Sequence, residues 1–387
     1  MNLELSEEQS AVRDLAASFT DREIAPHAAA WDRAESVDRA IIGKLAGLGF
    51  LGLTIPEDYG GSGGDHLAYC LVLEELGRGD SAVRGIVSVT LGLVAKSVNG
   101  YGTEEQKQHW LPRLTSGESL GCFALTEPGT GSDAANLSTR AVRDGDDWLI
   151  SGAKIFITNG TWADVALVFA RTGGDDPDRQ GHKGITAFLV PTDLPGFTRT
   201  EIHGKLGLRG QATAELALDR VRVSDSARLG EVDKGFRVAM SALAKGRMSV
   251  AAGCVGIARA CLEAAVRYAG EREQFGRPIA SHQLVQELLA GIAVDVEAAR
   301  LLTWKVADHI ERGLPFATES SVAKLYASEA AVRAANNALQ VFGGYGFIDE
   351  YPVGKYLRDA RVMTLYEGTS QIHQLLIGRA LTGVNAF

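Results

Sequence analysis

The stretch Cys122-Phe123-Ala124-Leu125-Thr126-Glu127-Pro128-Gly129-Thr130-Gly131-Ser132-Asp133 marks the point at which the chain changes texture. Before about Leu120, apolar residues recur at helical spacing. From Cys122 they come in short runs closed by Gly, Asp, Asn and Pro, as strands do. Those runs are Trp148-Leu149-Ile150, Ile155-Phe156-Ile157-Thr158, Val165 to Phe169, Thr186 to Val190, Ala214 to Leu218 and Val221-Arg222-Val223. Their spacing predicts a small β-barrel or sandwich set between helical regions.

Upstream, Ser6 followed by Gln9 is a capping-box pattern, and Ala11, Leu15 and Phe19 then share one face until Pro26. Ile41, Ile42, Leu45 and Leu48 make a second amphipathic segment, and Pro56 to Gly64 is too rich in glycine to hold a helix. Helical spacing returns through Leu67 to Leu76 and through Val87, Leu91 and Val94, and Thr103 with Gln106 predicts another capped start. After Gly235 the chain reads as helix to its end. Leu284, Leu288 and Ile292, flanked by Val285, Leu289 and Val296, form a face so broad that burial between other helices is expected, as in a four-helix bundle. The order is helices, strands, helices. It is not the alternation of a doubly wound sheet, and no GxGxxG follows a strand.

Composition limits the function classes. The chain has 387 residues, 45% of them hydrophobic, and a net charge of −9, which argues against a surface built to neutralise nucleic acid. Cys70, Cys122, Cys254 and Cys261 are scattered, without metal-ligand spacing or the density of a disulfide scaffold, so no metal is expected. The acidic, amphipathic start has neither signal- nor transit-peptide character, and no apolar run is read as long enough to span a bilayer. A cytoplasmic protein, or a mitochondrial matrix protein in mature form, is expected.

Several motifs carry chemistry. Thr126 to Asp133 follows a strand, and its glycines and hydroxyls can offer donors to a carbonyl-rich ring or a phosphate, or form an ordinary turn. Phe156 and Thr158 share one strand face. Arg272 to Ile279 ends one helix before Ser281-His282-Gln283 starts the next. An arginine at such a junction can hold a pyrophosphate, or can sit in a solvated turn. Gln340-Val341-Phe342-Gly343-Gly344 ends a long helix, where glycine admits a ligand or simply terminates the helix. Near the C-terminus, Leu365-Tyr366-Glu367-Gly368-Thr369-Ser370-Gln371-Ile372 sets one carboxylate between an aromatic residue and a glycine. Such surroundings raise a carboxyl pKa and make Glu367 a candidate general base. For the tripeptide alone, the more usual reading is a solvated turn capped by Thr369 or Ser370.

Taken in order along the chain, SEEQ, PEDYGGSGG, TEPGTGSD, KIFITNG, KLGLRG, REQFGRPI with the following HQ, QVFGGYGF and YEGTSQI resemble the acyl-CoA dehydrogenase family of flavoproteins from end to end. The resemblance implies an α+β architecture: an N-terminal all-α domain over 1–119, a middle β-barrel domain over 120–231 and a C-terminal four-helix bundle over 232–387. FAD would lie between barrel and bundle of a homotetramer. Phe123, Leu125, Thr126, Gly131, Ser132, Phe156 and Thr158 match contacts to the flavin and its phosphates. Arg272, Phe275, Gln340 and Gly344 match residues that hold the adenosine half across a subunit interface, with Thr369 and Gln371 as further FAD contacts. Ser132, Arg247, Tyr366 and Gly368 are expected to bind substrate, and Leu91 and Leu93 to line the acyl pocket.

The implied reaction is removal of the α-proton of an acyl-CoA thioester by Glu367, with the β-hydrogen passing as hydride to the flavin. The product is a trans-2-enoyl thioester, and electron-transfer flavoprotein is the expected acceptor. Some relatives carry the base at the position of Gly246, which cannot serve. Glu297 to Trp304 and the GCFALTEPG loop resemble the short-chain and short-branched-chain branch. Many relatives have aspartate where Ala244 stands, so a carrier-protein thioester, and oxidase behaviour, stay open.

Overall fold

The computed structural model describes residues 3–174 and 176–385. Helices α1 (Glu7–Phe19), α2 (Ala28–Ala34), α3 (Ile41–Gly47), α4 (His66–Gly79), α5 (Ser81–Val89), α6 (Lys96–Tyr101) and α7 (Glu104–Thr115) precede the strands. Both expected capping boxes are present. Ser6 accepts from the Gln9 backbone and Thr103 from that of Gln106, with each glutamine side chain answering back. Between α5 and α6 the chain takes a π-helical turn, Thr90–Ala95, which alters the 3.6-residue register and buries Leu91, Gly92 and Leu93 in succession.

The strands are β1 (Gly121–Ala124), β2 (Arg140–Asp144), β3 (Asp147–Thr158), β4 (Val165–Arg171), β5 (Ile185–Pro191), β6 (Phe197–Glu201), β7 (Thr213–Ser224) and β8 (Arg228–Leu229). They form one sheet in the order β6-β7-β3-β2-β4-β5-β8, with β1 parallel to β4. The continuous apolar runs in β4 and β5 have a structural reason. Ala166, Val168, Phe188 and Val190 fill the core enclosed by the sheet, whereas Val165, Leu167, Phe169, Ala187 and Leu189 point the other way and join the helical core.

The loop after β1 is fastened to β3 by a buried ion pair. Lys154 Nζ lies 2.8 Å from Glu127 Oε1 and also donates to the Leu125 and Phe169 carbonyls. Glu127 accepts in addition from the Ser138 and Thr139 backbones. Burial alone would raise the Glu127 carboxyl, but Lys154 and these donors hold it at about 2.

The last region is built on α8 (Gly235–Glu271), α9 (Gln283–Glu311) and α10 (Ala317–Phe342), with α11 (Val353–Met363) and α12 (Ser370–Thr382) laid against α10. Helix α8 has 37 residues and is rich in alanine and glycine, so α4 approaches its backbone closely at Gly253 and Gly256. Arg259 binds Glu74 and Glu75, and Arg300 binds Glu74, which locks α4 to the bundle. Asp359 of α11 accepts from the Leu208 backbone and from Lys355, which also pairs with Asp80, so all three regions meet there.

Two expectations need correction. Leu284 is 74% exposed, and Leu288 and Leu289 are only half-buried, because no element among the described residues covers that face of α9. Ser81–Tyr101 and Gly235–Glu271 do have the length and hydropathy of a membrane span, yet 94% and 72% of their apolar windows are buried in the protein. A helix packed on most sides shares the composition of a spanning one.

Lys154→Met leaves the Glu127 carboxylate buried without its counter-ion. Chemical denaturation of this variant is expected to show a loss of about 3–5 kcal/mol, against less than about 1 kcal/mol if the pair is incidental.

Candidate active site

Glu367 lies in the connection between α11 and α12 with φ 51°, a left-handed backbone that turns its side chain back into the protein. Thr369 caps α12 by accepting from the Ile372 N–H at 3.3 Å, so the predicted cap exists, while Glu367 is half-buried rather than freely solvated. Its Oε2 is shut off from solvent and has no hydrogen-bond partner.

The carboxylate fits because of what α8 lacks. A Cβ on Gly246 would sit 2.3 Å from Oε2 and 2.9 Å from Leu93 Cδ2, so any larger residue there would displace both groups. Gly246 is therefore the floor under this carboxylate. Gly368, at φ 99°, similarly packs on His373, whose ring atoms would lie 3.0 and 3.1 Å from an added Cβ.

Burial pushes the Glu367 carboxyl up to about 7, against the opposing pull of Arg84, Lys324 and Arg247. Three cations thus surround one carboxylate. Lys324 of α10 donates to the Gly368 carbonyl at 2.6 Å, and burial brings its ammonium down to about 8. Arg247 donates to Ser321 at 3.3 Å and leaves its Nε unpaired. His373 is fully buried with both ring nitrogens unpartnered, and burial, reinforced by Lys324 and Arg247, lowers it to about 3 and keeps it neutral. Tyr366 accepts a 2.6 Å hydrogen bond from Arg84, whose side chain is almost wholly buried on α5.

The expected flavin-side residues reach this centre through Leu93. Leu93, Val89 and Ala242 form a small apolar cluster onto which Phe123 of β1 packs, so one leucine touches both the β1 wall and the Glu367 pocket. Leu91 is fully buried in the helical core instead. Leu125 is buried and Thr126 half-buried, and the Thr126 carbonyl accepts from the Ile155 N–H at 3.0 Å, which joins the loop to β3. Gly131 and Ser132 are exposed. On β3, Phe156 is 66% exposed at φ 60°, and the Thr158 hydroxyl donates to Gln211.

Farther along the bundle, Tyr268, Arg272, Gln274, Ile279, Val341, Phe342, Gly343, Gly344, Tyr345 and Ile348 line a cleft of about 480 Å³. It brings together Arg272 and Gly344, two of the residues expected on the adenosine side. Gln340 is exposed one turn earlier on α10, and Phe275, 94% exposed at φ 55°, meets the His282 ring edge-on with centroids 5.8 Å apart. Arg272 stacks 5.4 Å from the centroid of the Tyr345 ring and has no carboxylate partner among the described residues. Gln371 is exposed on α12.

An elongated cofactor with an apolar ring system and phosphates fits these features. They supply an aromatic wall at Phe123 and Phe156, an open glycine loop at 129–131 and an unpaired arginine beside a cleft. Sequence reasoning did not single out Arg84, Lys324 or His373. Only Arg84 carried a signal, as a lone charge inside the apolar run from Ala82 to Ala95.

Comparisons with known proteins place the whole chain. Models of the acyl-CoA dehydrogenase N-terminal, middle and C-terminal domains match residues 6–118, 122–221 and 233–382. The human mitochondrial short-chain specific acyl-CoA dehydrogenase is 42% identical over 97% of this chain and 90% of its own length. The butyryl-CoA dehydrogenase of Megasphaera elsdenii superposes with TM-score 0.95 at 40% identity, covering 98% of this chain and 100% of that one. A glutaryl-CoA dehydrogenase of Mycobacterium smegmatis, solved in complex with FADH2, gives 0.94 at 38% identity, covering 99% and 96%.

The Glu367 carboxyl binds its proton more tightly in the folded chain than at its usual value of 4.5. The stability it contributes is therefore complete below pH 4.5 and is lost as pH rises through about 7. Glu367→Gln is expected to melt higher than the parent at pH 8 by roughly 2–5 °C, with the gap closing toward pH 5. A gap independent of pH would contradict the burial of this carboxylate.

Proposed function

This chain belongs to the acyl-CoA dehydrogenase family, and we propose that it removes hydrogen from C2 and C3 of a short or short-branched acyl-CoA thioester to give the trans-2-enoyl-CoA. The observation that carries the reading is the buried, unpartnered Oε2 of Glu367 on the floor made by Gly246. A carboxylate with a pKa near 7 is matched to proton abstraction at neutral pH. The α-hydrogen of a thioester is acidic enough to be its target.

FAD is the cofactor, and when bound it accepts the β-hydrogen as hydride. Phe123, Leu125, Thr126, Phe156 and Thr158 are proposed to hold its ring, with Gly131 and Ser132 near its phosphates. Arg272, Phe275, Gln340 and Gly344 are proposed to hold the adenosine half of a cofactor bound mainly by a neighbouring subunit, and Thr369 and Gln371 to complete the contact. The outward Phe275 and the uncovered Leu284 and Phe347, 87% exposed, support an assembly of several copies, and a homotetramer is the form proposed.

The remaining roles belong to the chain's own groups. As the α-proton leaves, negative charge grows on the thioester oxygen. The N–H of Glu367, which makes no backbone hydrogen bond among the described residues, is proposed to face that oxygen together with the environment of Gly368. Arg247, with an unpaired Nε close to Glu367, is placed at the pantetheine side, and Ser132 and Tyr366 beside the substrate. The fully buried Lys324 fixes the Gly368 carbonyl and so the direction in which the carboxylate points. Electron-transfer flavoprotein is the proposed electron acceptor.

Glu367→Gln is expected to retain FAD and its assembly while losing about 10²–10⁴-fold in turnover of butyryl-CoA, since an amide cannot take the α-proton. Turnover within a few-fold of the parent would remove Glu367 from the mechanism. Arg272→Ala is expected to weaken FAD retention by about ten- to a hundredfold without changing which acyl-CoA is preferred. Full FAD content after exhaustive dialysis would displace Arg272 from the cofactor.

A further inference from the structure

The inner end of the acyl site is more polar than a hydrocarbon tail requires. Arg84 is 1% exposed, and its Nη2 donates to the Tyr366 hydroxyl at 2.6 Å while its Nε has no partner. The Tyr69 hydroxyl, close enough to feel both Arg84 and Glu367, is buried and unpartnered as well. The Ser88 and Ser249 hydroxyls meet at 2.7 Å between α5 and α8.

Several deeply placed cations of the chain are answered by carboxylates, Lys154 by Glu127, Arg259 by Glu74 and Glu75 and Lys355 by Asp359, whereas Lys324 reaches a carbonyl and Lys96 the face of Tyr69. Arg84 has a phenol. A guanidinium held out of water beside one neutral oxygen is costly, and the cost falls when an anion joins it.

The geometry also sets a distance. Arg84 lies flat against α8 at Gly253, where an added Cβ would meet its Cδ and Nε at 2.8 Å, just as Glu367 lies against Gly246. The two glycines are seven residues apart on one helix face, roughly 10 Å along the axis.

We infer that the preferred acyl group carries a carboxylate at its far end, received by Arg84 together with the Tyr69 and Tyr366 hydroxyls. The inference rests on Glu367 as the base. Contact of C2 with Glu367 uses about 3 Å and a carboxylate–guanidinium bond about another 3 Å, which leaves roughly 4 Å, or about three carbon–carbon bonds. The fitting substrate is the monothioester of a diacid of about five carbons. An uncharged tail of that length would leave Arg84 unpaired, and sites of this kind discriminate strongly against ligands that lack the matching group.

The test compares glutaryl-CoA with butyryl-CoA on the holoenzyme and on Arg84→Gln, following flavin bleaching without oxygen. The holoenzyme is expected to favour glutaryl-CoA in kcat/KM by at least about tenfold, and Arg84→Gln to lower that ratio by about a hundredfold, mainly through the KM for glutaryl-CoA. Calorimetric titration of Glu367→Gln with each ester reads binding without turnover and needs no change at Arg84. It is expected to show tighter binding of glutaryl-CoA. A holoenzyme that prefers butyryl-CoA, or a titration in which both esters bind alike, overturns the carboxylate anchor. If neither ester bleaches the flavin, the assignment of Glu367 fails, and the titration still decides the role of Arg84.

Discussion

The structure depends on one carboxylate whose inner oxygen is kept from solvent against a helix that has made room for it. Glu367 Oε2 occupies the space a side chain at Gly246 would fill, under Leu93 and among Arg84, Lys324 and Arg247. Each neighbour limits the others. Without burial the group would titrate as an ordinary glutamate, and without the cations its ionised form would be too costly to populate near neutrality. The pocket balances these effects so that both protonation states are accessible near neutral pH.

That balance requires parts that are far apart in sequence. The carboxylate comes from the connection between α11 and α12, its floor from α8, its lid from the π-helical turn after α5, and its cations from α5, α8 and α10. The ties between regions are correspondingly ionic and specific. Glu74 and Glu75 hold α4 to the bundle through Arg259 and Arg300, and Asp359 gathers the loop before β7, α11 and, through Lys355, the start of α5. On the other side, Lys154 and Glu127 anchor the loop that follows β1 to β3. The two charges most prominent in the TEPGTGSD and KIFITNG motifs are thus partners in a buried pair rather than ligand contacts.

Much of the fold was legible in the sequence because local rules governed it. The capping boxes at Ser6 and Thr103, the helix end before Arg272, the strand runs from Cys122 onward and the helical return at Gly235 depend on residues within a few positions of one another. Glu367 was legible as a residue, but its left-handed backbone and its depth were not, since both depend on Gly246 more than a hundred positions away. Arg84, Lys324 and His373 escaped for the same reason. Lys324 and His373 look like unremarkable members of a helix until the elements around them are assembled, and Arg84 shows only as a lone charge in an apolar run. Leu284 misled in the opposite sense, because an apolar helix face reports that it will be covered and not by which chain.

The central claim is that Glu367 is a carboxyl group that gains and loses its proton near neutral pH. Titrating holoenzyme labelled with ¹³C at glutamate carboxyl carbons, and subtracting the spectrum of Glu367→Gln, isolates this group from the other glutamates. The account predicts a resonance present only in the parent and moving with a midpoint near pH 7. A difference resonance that titrates at the ordinary carboxylate position of 4.5 would contradict it, and with it the reading of the site as a proton-abstracting centre.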